Sequence, residues 1–249
     1  MDCSICIATY NKPRYLERVL QSIVSQSPPF DYEIIVVDDG SDSESIRRNQ
    51  SSCKDAKAKY IFLSENPAYG NPARARNVAY KEATGDVIIC QSDDVIHARK
   101  DNIEDLVTEL QPGTFVIGTV INTDWDGNQY CEPEGKGYGD HLQVYTSPQR
   151  KRPLFFLGSL YRSDLYAVGG NDEDFVHPSR EDVWFAECLT KGLRLRPHYT
   201  SKIVGHHLHH SHCNPQDTLP SREVFKEKMK AAQIGKGRYE AASGPWEYS

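Results

Sequence analysis

The sequence predicts an α/β fold with a mostly parallel central sheet flanked by helices, followed by a small, partly antiparallel region. Two observations carry this prediction. Apolar strand-like segments alternate with amphipathic helical segments over the first 121 residues, which is typical of right-handed β-α-β units. The apolar runs at 32–37 and 86–91 are also continuous, as in parallel strands that are covered on both faces.

The predicted elements of the first half follow one another with short connections. Strand 4–8 precedes a helix over 13–25, in which Pro13 suits the first turn. Apolar side chains on one face of this helix are Leu16, Val19, Leu20, Ile23 and Val24. The next predicted elements are strand 34–37, helix 44–53, strand 60–63, helix 73–83, strand 87–90, helix 103–110 and strand 115–121.

From residue 122 the alternation of strand-like and helical segments ends. Residues 122–153 are rich in Gly, Pro, Tyr and charge, with strand-like pieces at 129–131 and 142–145, which indicates a looped, partly antiparallel subdomain. The later predicted elements are strand 154–161, helix 163–168, helix 181–191, strand 193–198 and a polar helix from 221. We expect a mobile terminus after that helix, and a division of the chain into 1–121, 122–215 and 216–249.

Composition narrows the class of protein. The 38% hydrophobic and 26% charged residues are ordinary for a soluble globular protein, and the net charge of −6 argues against a broad basic face for nucleic acid. The seven cysteines are an odd number without paired spacing, which favours buried free thiols in a reducing compartment. No apolar stretch reaches about 18 residues and no basic-then-apolar leader precedes the first strand. We therefore expect a cytoplasmic protein without a transmembrane segment.

Acidic pairs directly follow two of the predicted parallel strands. They are Asp38-Asp39 and Asp93-Asp94. The carboxyl ends of parallel strands are where open α/β sheets bind ligands. Carboxylates at that edge can hydrogen-bond a nucleoside or hold a divalent cation on a diphosphate. The sequence therefore predicts a metal-dependent enzyme that uses a nucleotide-linked donor.

Five short motifs, in this order, resemble those of the family 2 glycosyltransferases of the GT-A (Rossmann-like) fold. They are Ala8-Thr9-Tyr10-Asn11, Val37-Asp38-Asp39-Gly40-Ser41, Ala75-Arg76-Asn77, Ser92-Asp93-Asp94 and Glu181-Asp182. The resemblance implies an inverting enzyme that moves a sugar from a nucleotide-sugar donor, above all a UDP-sugar, to an acceptor hydroxyl with Mn²⁺ or Mg²⁺ as cofactor. It implies donor binding in 1–121 and acceptor binding with catalysis in 122–215. The acceptor stays open among a glycan, a lipid-linked sugar, a protein and a modified base.

The resemblance also implies which residues hold the cation and the ribose. It places the metal on Asp94 and the ribose contact on Asp93, since Mg²⁺ and Mn²⁺ commonly use one or two carboxylates with phosphate oxygens. In related enzymes a histidine after Val-Gly completes the metal shell, which makes His206 the predicted second ligand and His209 the alternative. The other histidines of this segment are expected to be surface or loop residues: His207, His210 and His212.

The first acidic pair and the residues around it are expected to bind the nucleotide. By the resemblance, Asp39 accepts the N–H of a uracil, Tyr10 stacks on the base and Thr9 helps through its backbone. Arg76 opens a predicted helix and is placed to touch the nucleotide or the diphosphate, because a planar guanidinium suits phosphate. For Asp38 two roles stay open, a ligand contact and the holding of the turn.

Asp182 is the predicted catalytic base. Inverting transfer needs a carboxylate opposite the leaving group to take the acceptor proton, and the Glu-Asp pair at a predicted helix start matches the family pattern. Burial beside aromatic residues would raise the pKa of Asp182, and helix-start amides would lower it. The alternative is an acid that only favours the helix dipole. Residues expected to contact the acceptor or the donor sugar are Gly158, Gly170, Glu181 and Trp184.

Two other functions stay open from the sequence. A nucleotidyltransferase also combines an α/β sheet with metal-binding acids, but segment 8–13 lacks the glycines of its signature loop. A non-catalytic nucleotide-sugar-binding protein would tolerate the loss of Asp94 or Asp182, and both are present.

Overall fold

The computed structural model describes residues 2–64, 72–128, 144–177, 179–210 and 215–247. In these residues a nine-stranded sheet forms the centre of the molecule. Its strands are β1 (Cys3–Thr9), β2 (Tyr32–Asp38), β3 (Lys59–Phe62), β4 (Val87–Ser92), β5 (Val95–His97), β6 (Thr114–Thr123), β7 (Val144–Thr146), β8 (Leu157–Tyr161) and β9 (Arg196–Leu208). The α-helices are α1 (Pro13–Val24), α2 (Ser43–Asp55), α3 (Pro72–Glu82), α4 (Asn102–Thr108), α5 (Arg162–Val168), α6 (Glu181–Glu187) and α7 (Leu219–Gln233).

Four neighbouring strands on one side of the sheet run parallel, in the spatial order β3-β2-β1-β4. Thr9 is aligned with Asp38, and Ala8 is aligned with Ser92, so β1, β2 and β4 end at one level. The predicted parallel arrangement of this half is confirmed. Ligands of open α/β sheets bind beyond such carboxyl ends, and the acidic pairs of the sequence lie there.

The other side of the sheet is mixed. β8 is antiparallel to both β4 and β6, whereas β6 and β9 run parallel. β5 pairs antiparallel with β9, and β7 pairs antiparallel with β6. Since β4, β6 and β9 point the same way, the end of β9 reaches the same carboxyl edge as β1, β2 and β4. The predicted partly antiparallel region is present as part of one continuous sheet.

Both faces of the sheet are covered, which explains the continuous apolar runs of the sequence. In β2, Ile35 and Val37 pack into the core cluster that contains α3, and Ile34 and Val36 pack into the cluster that contains α1. Full burial of an aliphatic side chain contributes about 1.5–3 kcal/mol. Val24, the last residue of α1, is 46% exposed and does not belong to the predicted buried face. The residues that α1 does bury are Leu16, Val19, Leu20 and Ile23.

Elements of the second half differ from their predicted bounds. The predicted helix over 181–191 is α6 followed by a π-helical turn at Cys188–Gly192. The predicted strand over 193–198 starts later and is much longer, since β9 pairs with β6 nearly along its whole length. This pairing depends on contacts distant in sequence, which local propensity does not report. The predicted strand piece at 129–131 lies outside the described residues.

The segment after α7 folds back onto α5, where the sequence predicted a mobile terminus. The backbone N–H of Ala241 donates to Val168 O at 2.8 Å, and that of Trp246 donates to Tyr166 O at 2.8 Å. The Trp246 ring meets the Tyr166 ring edge-on at 5.3 Å and lies under the Lys81 ammonium at 4.6 Å. An aromatic side chain near the terminus therefore fixes this segment to the domain.

The described cysteines fit the prediction of buried free thiols. Cys3, Cys6, Cys53, Cys90 and Cys188 are buried and none is in a disulfide. Burial raises the pKa of Cys90 to about 11 and that of Cys3 to about 12, so these thiols stay protonated and unreactive. Across the described part of the chain, no helix combines the length and the apolar character needed to cross a bilayer.

Candidate active site

A cleft of about 400 Å³ opens at the carboxyl edge of the sheet. It brings together residues that lie up to about two hundred positions apart, because the ends of β1, β2, β4 and β9 meet there. Residues predicted from the sequence that line it are Thr9, Tyr10, Asp39, Arg76, Asp93, Asp94 and Glu181. Lining residues that the sequence did not single out for the site include Lys12, Tyr145, Phe156, His207 and His210.

The acidic pair after β4 is buried at the floor of this cleft. Asp93 and Asp94 are 8% and 5% exposed. Thr9 Oγ1 donates to Asp93 Oδ2 at 2.8 Å, and the Lys12 ammonium lies 2.6 Å from Asp94 Oδ2 and 3.5 Å from Asp93 Oδ1. A buried carboxylate pair needs such positive charge, because two like charges out of water strongly oppose ionisation.

The two carboxyls of this pair differ in pKa. Burial raises the pKa of Asp93, and the neighbouring charge of Asp94 adds to the rise. Burial also opposes the charge on Asp94, but Lys12, His207 and His210 outweigh it and hold the pKa of Asp94 well below its ordinary value. Asp94 is therefore the more acidic member of the pair and carries its negative charge at neutral pH.

Asp94, His207 and His210 form the candidate metal centre. One ligand atom from each lies within 4.8 Å of the other two. His210 Nε2 is 3.0 Å from Asp94 Oδ2, and His207 Nε2 is 3.7 Å from Asp94 Oδ1. His207 Nδ1 is 3.1 Å from Asn122 Oδ1, a contact that orients the ring so that Nε2 faces Asp94.

This donor set fits a divalent cation. The carboxylate is a ligand that Mn²⁺ and Mg²⁺ prefer, and the two imidazoles favour a transition-metal ion over Mg²⁺. Three protein ligands leave positions of a six-coordinate ion for diphosphate oxygens. Two ligand atoms about 2.1 Å from an octahedral ion and at right angles are about 3.0 Å apart. The observed separation of 3.0 Å between Asp94 Oδ2 and His210 Nε2 matches this spacing.

The structure separates His206, the predicted second ligand, from this group. Successive side chains of a strand point to opposite faces, and His207 is the one that faces Asp94. His206 is paired with Ile96 and Ile121 in the sheet and does not line the cleft. The alternative, His209, is likewise not in the metal group; its backbone N–H donates to Thr123 O at 2.8 Å. His212 lies outside the described residues.

The residues predicted to bind the nucleotide stand at the ends of β1 and β2. The N–H of Asp39 donates to Thr9 O at 2.9 Å, so these two loops are joined. Asp39 is 2% exposed and lines the cleft together with Tyr10 and Thr9. At the ends of β1 and β2 the cleft therefore offers a carboxylate and an aromatic ring.

Asp38 holds the turn and does not line the cleft. Its Oδ1 accepts from the N–H of Ser41 at 2.8 Å. Its Oδ2 accepts from Asn49 Nδ2 at 2.8 Å and from the Tyr60 hydroxyl at 2.7 Å. With both oxygens bound in this way, Asp38 fixes the loop that carries Asp39, which decides between the two roles left open by the sequence.

The second acidic pair lies at the start of α6. Glu181 lines the cleft, and its Oε1 is 3.6 Å from Arg76 Nη1, while its Oε2 accepts from the N–H of Ser179 at 2.8 Å. Asp182 Oδ1 accepts from the N–H of Val183 at 2.7 Å. Burial, followed by the charge of Glu181, raises the pKa of Asp182 to about 7 against the opposing charge of Arg76.

Three residues predicted to contact a sugar do not line the cleft. Trp184 is 1% exposed and packs in the core near Phe225 and Tyr239, because α7 and the terminal segment cover it. A Cβ on Gly158 would lie 2.5 Å from a backbone oxygen of β6. A Cβ on Gly170 would lie 2.2 Å from the Trp246 ring. Both glycines serve close packing.

Lys12 is the charged site residue that the sequence analysis missed. It directly follows the first motif and precedes α1, so the same strand-end rule that singled out the aspartates applies to it. Burial opposes its charge, but Asp93 and Asp94 raise its pKa further above the ordinary lysine value. Lys12 is therefore a permanent cation within the site.

Comparison with known proteins agrees with this architecture. The model of the Glycosyl transferase family 2 matches residues 4–165. The chain is 33% identical over 239 residues to the poly(ribitol-phosphate) beta-N-acetylglucosaminyltransferase TarS of Staphylococcus aureus, a match that covers 87% of this chain and 38% of TarS. The chain thus spans well under half the length of that relative.

Solved structures share the fold. The structure of S. aureus TarS 1-349 in complex with UDP-GlcNAc superposes with a TM-score of 0.64 at 19% identity, covering 95% of this chain and 67% of that one. The mannosyltransferase PcManGT of Pyrobaculum calidifontis, in complex with GDP-Man and Mn²⁺, gives a TM-score of 0.58 at 19% identity over 86% of this chain and 58% of that one. The chain belongs to glycosyl transferase family 2 and has the GT-A fold.

Proposed function

We propose that the protein transfers a sugar from a UDP-sugar to an acceptor hydroxyl, with inversion and with Mn²⁺ or Mg²⁺. The observation that carries the proposal is the grouping of Asp94, His207 and His210 in the cleft that Asp39 and Glu181 also line. The residues proposed for the nucleotide and those proposed for the cation thus line one cleft together with Glu181 of the second acidic pair.

The donor would be bound from two sides. Asp39 accepts a base N–H, Tyr10 offers its ring to the base, and Asp93 accepts from a ribose hydroxyl. Asp94, His207 and His210 would hold the divalent cation, which neutralises charge on the leaving diphosphate. Arg76, which also lines the cleft, adds a positive charge.

Asp182 takes the proton of the acceptor hydroxyl in this proposal. A general base works best when its pKa lies near the working pH, and the pKa of Asp182 is raised to about 7 by burial and by Glu181. Glu181, which lines the cleft and is paired with Arg76, links the start of α6 to the cleft.

TarS guides the choice of the first substrates. It is named for the transfer of N-acetylglucosamine to poly(ribitol phosphate). UDP-GlcNAc is therefore the first donor to test, and a polyol phosphate chain is the first acceptor.

The test is a donor-hydrolysis screen. UDP-, GDP- and dTDP-sugars are incubated with the wild type, Asp94→Ala and Asp55→Ala, with and without Mn²⁺, and the released nucleoside diphosphate is measured. Asp55 is an exposed acid at the end of α2 and serves as the matched control. We expect Mn²⁺-dependent release of UDP by the wild type and by Asp55→Ala, and its loss in Asp94→Ala. Equal release by all three proteins would contradict the metal assignment.

A further inference from the structure

We propose that the Lys12 ammonium takes the place of the divalent ion in the nucleotide-free protein, where it contacts the atoms that would bind the ion. When the ion binds, the ammonium moves to the donor diphosphate. The proposal rests on the metal-dependent function proposed above. It makes metal and nucleotide binding mutually dependent through one side chain of this chain.

The ammonium lies on the same atoms that would hold the ion. Lys12 Nζ is 2.6 Å from Asp94 Oδ2 and 3.3 Å from His210 Nε2. Those two ligand atoms are 3.0 Å apart, the spacing of neighbouring ligands on one ion. The ammonium thus bridges the edge of the candidate metal centre that is spaced best for coordination.

Lys12 and a metal ion cannot share this edge. The ammonium lies 3.3 Å from His210 Nε2, too close for a second cation to bind that nitrogen without strong repulsion. Asp94 Oδ2 has more than one lone pair, but two cations on a single buried oxygen repel each other strongly. Entry of the metal therefore requires that Lys12 leave both atoms.

Lys12 is placed to leave them without disturbing the fold. It precedes the first turn of α1, its side chain is 29% exposed, and it lines the cleft. Its four-carbon stem carries a compact charge that can change partners. A donor diphosphate in the cleft offers negative oxygens to the displaced ammonium. Without a nucleotide, the ammonium would exchange its contacts with the carboxylates for contacts with water.

Two consequences follow for binding. Without nucleotide, Lys12 competes with the metal and weakens its affinity. With UDP, the displaced ammonium gains a phosphate partner, so each ligand strengthens the binding of the other, as linkage requires. A purely structural ion pair would have the opposite effect: removal of Lys12 would loosen Asp94 and weaken the metal.

The experiment measures Mn²⁺ affinity of the nucleotide-free protein, by the electron paramagnetic resonance signal of free Mn²⁺. The proteins are the wild type, Lys12→Met, Lys12→Arg and Lys54→Met, where Lys54 is an exposed lysine in the last turn of α2. We expect Lys12→Met to bind Mn²⁺ about tenfold or more tightly than the wild type, because a competing charge is gone. Lys12→Arg keeps a cation and is expected to show no such gain, and Lys54→Met is expected to match the wild type.

A second titration measures UDP affinity with saturating Mn²⁺, by calorimetry. Here Lys12→Met is expected to bind UDP about tenfold more weakly, because the ammonium that would contact the diphosphate is absent. Mn²⁺ affinity of Lys12→Met that equals or falls below that of the wild type would overturn the proposal. So would a lack of measurable Mn²⁺ binding by both proteins. Lys12→Gln replaces Lys12→Met if the latter does not fold.

Different results would contradict the metal-dependent transfer and the exchange by Lys12. Metal-independent release of UDP in the donor screen would remove the proposed metal dependence itself. Metal-dependent release combined with unchanged or weaker Mn²⁺ binding by Lys12→Met would keep that function and remove only the exchange by Lys12.

Discussion

Each of the acidic pairs Asp93-Asp94 and Glu181-Asp182 has a long basic side chain beside it, and the contact is closer at the first pair. Lys12 lies 2.6 Å from Asp94, whereas Arg76 lies 3.6 Å from Glu181. Asp94 is further compensated by two histidines, and its pKa is held well below the ordinary value. Burial and Glu181 instead raise the pKa of Asp182 to about 7.

The surroundings of a carboxyl group thus decide which chemistry it suits. A carboxylate with close positive partners stays charged and suits the binding of a cation. A buried carboxyl next to another acid titrates near neutral pH and suits the exchange of a proton. Replacing members of either pair should therefore change different measurements, binding of metal on one side and transfer on the other.

The largest effect is expected for Asp182→Asn. Loss of the general base should lower the rate of transfer by roughly 10²–10⁴-fold, while UDP and Mn²⁺ affinities stay unchanged because Asp182 is neither a proposed metal ligand nor a proposed nucleotide contact. Steady-state kinetics and a UDP titration measure both quantities, with Asp55→Asn as the control. Unchanged transfer by Asp182→Asn would assign the base to another residue.

The next largest effect is a difference in Mn²⁺ affinity between variants of two histidines. His210→Ala removes a ligand atom 3.0 Å from Asp94 and should weaken Mn²⁺ binding by about tenfold to a hundredfold. His206→Ala, on the other face of β9, should leave it unchanged. Electron paramagnetic resonance titration with Mn²⁺ compares the two. An equal loss of Mn²⁺ affinity in both variants would assign His206 to the metal centre as well.

A smaller effect is expected from the residue that aims His207. Asn122→Ala removes the amide that holds His207 Nδ1 at 3.1 Å. Loss of such an orienting contact typically weakens a metal site by about tenfold or more. The same Mn²⁺ titration measures it, and circular dichroism confirms folding. Wild-type affinity in Asn122→Ala would show that His207 needs no aid from β6.

The smallest effect is a shift in pH dependence. Asp182 must be unprotonated to accept a proton, so transfer should be slow at low pH and should rise through the pKa of about 7. Glu181→Gln removes a charge that raises this pKa, so the rising limb should move to lower pH. A pH–rate profile at saturating Mn²⁺ measures the shift. A limb that stays in place, or moves to higher pH, would contradict the link between the pair.

The part of the cleft at the ends of β1, β2 and β4 could be predicted because its residues stand directly after apolar runs that are visible in the sequence. Thr9, Asp39 and Asp93 follow apolar runs whose parallel order fixes the edge at which they meet. Lys12 obeys the same rule and could have been found by it. Family membership also decides for a glycosyltransferase over the nucleotidyltransferase that the sequence left open.

The other side could not be predicted because it depends on packing between distant segments. Which of His206 and His207 faces the cleft depends on the register of β9, and the pairing of β9 with β6 sets that register. Trp184 is covered by α7 and the terminal segment, a contact that no local pattern reports. The sequence motifs thus predicted the acidic residues, but the side chains that contact them are known only from the tertiary structure.

The most direct test of the proposed metal centre is anomalous diffraction at the manganese edge from crystals grown with UDP and Mn²⁺. We expect one strong peak within about 2.0–2.3 Å of Asp94 Oδ2 and His210 Nε2, with the Lys12 ammonium on the diphosphate. Bound UDP with the manganese peak away from Asp94, or with no manganese at all, would contradict it.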